Sequence, residues 1–104
     1  MRNLEKEQPI IYKTDNRNIR EHQLKTIEPY FSAVKRGEKT FEVRKFDRDF
    51  QVGDFIDLVH YNQQTKQLGQ RITKRITYML TDEQYVKEGY VILGMVDDEI
   101  EIPF

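Results

Sequence analysis

Only one stretch of this chain carries the apolar spacing of a helix, and that limits what the chain can become. Tyr30, Phe31 and Val34 recur at intervals of three and four, the mark of a single buried stripe. Pro29 stands at what reads as the first helical position, where its missing N–H costs little. Lys35 and Arg36 fall in the last turn, where cations suit the helix dipole, and Gly37 can take the left-handed stop conformation. The signals predict a helix of about two to three turns. The remaining apolar segments are short and strand-like, so this helix must cover a sheet.

The strand readings follow the chain. His22 to Ile27 places Leu24 and Thr26 on one face, Lys25 and Ile27 on the other. Thr40 to Lys45 is a second strand. Phe46 to Phe50 is a polar loop pinned by two aromatics, and Val52-Gly53-Asp54 reads as a turn. Phe55 to Tyr61 is apolar on both faces, with Phe55, Val59 and Tyr61 on one and Ile56 and Leu58 on the other. After a polar hairpin loop from Asn62 to Gly69, Arg71 to Leu80 alternates. Ile72, Ile76, Tyr78 and Leu80 oppose Thr73, Arg75 and Thr77. Tyr90 to Val96 is almost wholly apolar and reads as a central strand. Ile100, Ile102 and Phe104 keep period two, as a last strand would. This pattern predicts a mostly β (α+β) fold, a small β-barrel with one early helix. Residues 1–20 show no sustained period and read as a partly ordered N-terminal arm, with the folded domain at 21–104.

Composition narrows the function classes. With 104 residues, one domain with a modest core is expected, and twelve Phe and Tyr supply its apolar area. There is no cysteine, hence no disulfide framework or thiolate chemistry. Two histidines, His22 and His60, form no metal-ligand pattern, and nothing calls for a cofactor. No apolar run reaches the roughly 20 residues of a membrane span, and residues 1–10 lack the apolar centre of a signal peptide. A soluble cytoplasmic domain is the expectation. The net charge of −1 hides a polarity: residues 1–80 carry sixteen Lys and Arg against eleven acids, residues 81–104 one Lys against seven. A basic face of this kind attracts phosphates. Arg71, Lys74 and Arg75, with Lys66 in the hairpin, form its densest part. Arg71 and Arg75 would stand about 13 Å apart on one strand face.

The segment GEKTFEVRK, Gly37 to Lys45, gathers the candidate chemistry. Thr40, Glu42 and Arg44 share one side of an extended chain, Phe41 and Val43 the other. Arg44 can hold a phosphate by its bidentate fork and Lys39 as a point charge. Glu42 tolerates burial only if Arg44, Lys39 or Lys25 pairs with it, and from such a place it can accept from the amino group of a base. Arg48, in the charged loop Asp47-Arg48-Asp49, is a phosphate contact if that loop is a lid. His22 and Tyr90 are candidates for hydrogen bonding and stacking on a base, against the plainer readings of local pairing and packing. Asp54 reads as a stabiliser of its turn.

HQLK (His22 to Lys25), GEKTFEVRK, DRDFQVGD (Asp47 to Asp54) and GYVILGM (Gly89 to Met95) together resemble an ASCH domain, one of the PUA-like β-barrels. The likeness is to a bacterial and phage branch of that group and covers about three quarters of the chain. It implies a PUA-like pseudo-barrel with a cleft between the helix and the sheet, bordered by the GEKTFEVRK strand. It also implies that the cleft binds RNA or a nucleotide-like ligand. The residues concerned are Lys39, Thr40, Glu42, Arg44, Arg48, His22, Lys25 and Tyr90. Some similar ASCH proteins are small amidohydrolases acting on acetylated cytidine through a lysine, a threonine three residues later and a distant glutamate. Here the lysine is Lys39, the threonine position holds Glu42, and Glu88 is a candidate for the distant carboxylate; Thr40 is displaced by about 7 Å along the strand. Lys39, Glu42 and Glu88 are thus the catalytic candidates of an alternative, enzymatic reading. A third reading is a protein-interaction module using the arm and the acidic tail.

Overall fold

The computed structural model describes residues 10–14 and 17–97, with side chains from Arg20 onward. Expectations for residues 1–9 and 98–104, including the last strand at Ile100 to Phe104, lie outside the described residues. Six strands and one helix follow in the order β1 (Ile10–Thr14), β2 (Arg17–Thr26), α1 (Tyr30–Lys35), β3 (Phe41–Lys45), β4 (Phe55–Tyr61), β5 (Leu68–Leu80) and β6 (Tyr90–Asp97). They form one sheet in the order β1-β2-β4-β5-β6-β3. The β2–β4 pair is parallel and the other neighbours are antiparallel. The chain is therefore mostly β, and β2 reaches β4 only after α1 and β3 have been made. Five strands, from β2 to β3 in sheet order, curl into a half-barrel.

The core fills the hollow of the curl. Leu24 from β2, Ile56 and Leu58 from β4, Ile76 from β5, and Val91, Leu93 and Met95 from β6 meet there. Val34 of α1 and Phe50 of the loop between β3 and β4 close over them. Period-two alternation in each strand explains the set, since each member points to the same sheet face.

Three sequence expectations change. The helix has six residues, and Pro29 is its N-cap rather than its first member. Its buried residues are Phe31 and Val34, while Tyr30 is 51% exposed. In β5, a register shift between Ile76 and Tyr78 breaks the alternation. One extra residue reverses the facing beyond it, so Met79 packs on the core and Tyr78 is 66% exposed. Finally, β5 begins at Leu68, inside the expected hairpin loop.

Candidate functional site

The site begins where the helix stops. Gly37 adopts φ 79°, and the N–H groups of Glu38 and Lys39 both return to the Ala33 carbonyl, at 3.0 and 3.1 Å. This tight winding delivers Lys39 beside β3. There its Nζ donates to the Phe41 carbonyl (2.5 Å) and pairs with the Glu42 carboxylate.

Strand alternation then sorts the segment. Glu42 is buried at 3% exposure, whereas Phe41 and Val43 stand outward at 44% and 51%. A buried carboxylate is sustained only by close cations, and Glu42 has two: Lys39 on Oε2 and Arg44 Nη2 at 3.2 Å from Oε1. Arg44 also donates to the Lys25 carbonyl (2.9 Å) and the Thr26 hydroxyl (3.2 Å). Since β3 ends the sheet and Lys25 and Thr26 end β2, this arginine spans the open seam of the half-barrel. Arg48 adds a second tie across it, to the Gln23 carbonyl at 3.4 Å.

A cleft of about 690 Å³ opens at this seam. Three rings, Tyr30, Phe41 and Tyr61, and three cations, Lys25, Lys39 and Arg44, line it together with Glu42. The cations lie on the rings: Lys25 Nζ is 4.6 Å from the Tyr61 centroid, and Lys39 Nζ is 5.0 Å from Phe41 and 5.9 Å from Tyr30. Such a surface offers flat apolar area for a planar group and positive charge for an anion. The rings were not among the sequence-derived site residues. Tyr30 shares the spacing of the helix stripe in the sequence, although Phe31 and Val34 alone are buried.

Of the sequence-derived candidates, Lys25, Lys39, Glu42 and Arg44 meet in this cleft. The others stand elsewhere. Thr40 is exposed just before β3, and its carbonyl accepts from Met95 N–H at 3.1 Å. Tyr90 is half-buried at the head of β6, under Lys87 Nζ at 5.1 Å. Glu88 is exposed in the turn before β6. None of these three lines the cleft.

His22 belongs to a second charged cluster. It is 1% exposed, with Nε2 2.8 Å from Asp54 Oδ2 and its ring 4.7 Å from that of Phe50. Asp54 also receives the Gln51 N–H (3.0 Å) and lies 3.3 Å from Arg20 Nε. Burial pushes the His22 imidazole below its ordinary value of 6.5, against the opposing pull of Asp54. Asp54 thus holds its own turn, as its sequence context implied, and also ties that turn to β2. Of the expected phosphate track, Arg71 lies 3.4 Å from the buried Asp57, and Lys74 pairs with Asp97. Burial raises the Asp57 carboxyl above its ordinary range, although Arg71 and Thr73 favour its ionised form.

The family model described as "Domain of unknown function (DUF3850)" matches residues 21–95. The chain belongs to that family. It is also 35% identical, over 79 residues, to the "Uncharacterized 12.9 kDa protein in GpA 3'region" of Escherichia phage P2, covering 76% of this chain and 71% of that protein. Every residue lining the cleft, from Lys25 to Tyr61, falls within the family match. Among the described residues, no group of three or more His, Cys, Asp or Glu could hold a metal, and no helix is long and apolar enough to cross a membrane.

Proposed function

We propose that this DUF3850 chain is an ASCH-type, PUA-like domain that binds RNA or a nucleotide-like ligand in the seam cleft. The observation that carries the reading is the meeting of three aromatic rings and three cations around one cavity. Its volume of about 690 Å³ falls in the range of small-molecule sites. Tyr30, Phe41 and Tyr61 supply stacking surface, worth about 1–3 kcal/mol per base. Lys25 and Lys39 supply charge for a phosphate, and Arg44 any donors left by its ties to Glu42 and β2.

The ion pairs favour recognition over catalysis. Both Glu42 oxygens are engaged, one by Lys39 and one by Arg44, so the carboxylate holds two cations at the cleft wall. A general base would need a free oxygen facing a positioned water. Lys39 Nζ is itself engaged by the Glu42 carboxylate and the Phe41 carbonyl, which disfavours the amidohydrolase reading on acylated nucleosides.

Titration with short single-stranded RNA at low and high salt tests the proposal. Saturable binding is expected, weakening steeply with salt and falling about tenfold in Tyr30→Ala and in Lys25→Ala. Absence of saturable binding at low salt, or affinity unchanged in both variants, removes it.

A further inference from the structure

On β3, the last strand of the sheet, the backbone groups of alternate residues face away from β6. Met95 N–H donates to the Thr40 carbonyl (3.1 Å), making these opposed residues a hydrogen-bonded pair. An antiparallel ladder alternates such pairs with non-bonded ones. The register therefore assigns the bonded role to Glu42–Leu93 and Arg44–Val91, and the non-bonded role to Phe41–Gly94 and Val43–Ile92. The N–H and C=O of Phe41 and Val43 consequently point away from β6, toward the edge where the sheet of described strands ends. Four consecutive residues, Phe41 to Arg44, line the cleft although their side chains alternate between two faces. Only a cavity running along the strand edge touches all four. On this edge the Phe41 carbonyl is capped by Lys39 Nζ (2.5 Å). Among the described residues, Val43 receives no such cap.

We infer that the Val43 backbone N–H and C=O form the base-reading element of the cleft, pairing with the Watson–Crick edge of an unpaired nucleobase. This deepens, and rests on, the nucleotide-binding reading above. In an extended residue the N–H and C=O lie side by side on one edge, a donor next to an acceptor. Pyrimidines and purines present a complementary neighbour pair on their Watson–Crick edge, such as N3 and the N4 amino group of cytosine. A base inside a duplex has that edge occupied, so the cleft takes a single-stranded or everted base. The rings of Tyr30, Phe41 and Tyr61 border the same space and supply stacking surface. The reader is main chain, since the Val43 side chain, 51% exposed at the cleft border, has no polar group with which to read a base.

The test titrates the full chain with the four nucleoside 5′-monophosphates. The tightest binder is then compared with its form methylated so that the Watson–Crick edge lacks its donor. In parallel, Val43→Pro removes the N–H and Val43→Ala keeps it. Proline is tolerated here, because an edge-strand N–H facing outward takes no part in the ladder. Methylation and Val43→Pro are each expected to weaken binding at least about tenfold, the worth of a well-formed hydrogen bond in a dry site. Val43→Ala, which keeps the N–H, should weaken binding several-fold less than Val43→Pro does. If nucleotides bind but methylation has no effect, the edge reading falls while the nucleotide reading stands; equal binding by a folded Val43→Pro variant has the same consequence. If no nucleotide or RNA binds at all, both fall. Should Val43→Pro fail to fold, the methylated ligand on the unaltered chain decides alone.

Discussion

Glu42 and Asp54 are both buried carboxylates set between two basic side chains, yet their surroundings differ in kind. Asp54 joins His22, Arg20 and the Gln51 N–H, with Phe50 packed against the His22 ring, and it does not line the seam cleft. Glu42 joins Lys39 and Arg44, and the same three residues form part of a cavity wall facing aromatic rings. The first arrangement ties the 46–54 loop to β2. The second holds cations beside a cleft and a strand edge that no other strand among the described residues pairs with. A cluster of buried charge therefore marks a junction in this fold, and only the adjoining cleft turns a junction into a candidate site.

The comparison breaks most visibly under truncation. Glu42→Ala and Asp54→Ala should each cost about 3–5 kcal/mol of stability in urea denaturation, since each strands its basic partners in a partly dry setting. The two must then part: the folded fraction of Asp54→Ala should bind nucleotide as the unaltered chain does, while Glu42→Ala should not. Equal loss of binding in both would erase the distinction. Next in size, Tyr30→Ala should reduce affinity by about 1–3 kcal/mol with little change in the urea midpoint, because Tyr30 is 51% exposed.

A smaller effect concerns pH. Burial lowers the folded-state pKa of His22, so between that value and 6.5 the unfolded chain binds more protons than the folded one. The His22 contribution is complete above 6.5 and is lost progressively as pH falls toward the depressed folded value. Urea midpoints measured from pH 7 to pH 5 should decline less in His22→Gln than in the unaltered chain, with nucleotide affinity at pH 7 preserved in both. Smallest of all, Glu38→Ala should leave stability and binding unchanged. Glu38 lies in the same charged segment, but its pair with Arg36 at 2.9 Å is solvent-exposed.

Local pattern told much of the fold, and its limits are physical. The helix stripe of Phe31 and Val34, its Gly37 stop, and strands β3, β4 and β6 are all written in short-range periodicity. The bulge after Ile76 is not, because it arises from how β5 meets β6. Of the site, the charged residues Lys25, Lys39, Glu42 and Arg44 were legible, since a buried strand carboxylate demands nearby cations. The rings were hidden by ambiguity, as Tyr30 and Tyr61 read equally well as core. The free edge of β3 was invisible, because strand order is a global property and backbone groups leave no trace in residue identity.

The amide nitrogen–proton spectrum of the labelled chain during titration with a nucleoside monophosphate tests the central claim most directly. The account predicts a saturable shift of the Val43 amide, with smaller shifts from Tyr30 to Arg44 and at Tyr61, and a steady Gln51 amide beside Asp54. Shifts centred on residues 46–54, or no saturable shift along β3, would contradict it.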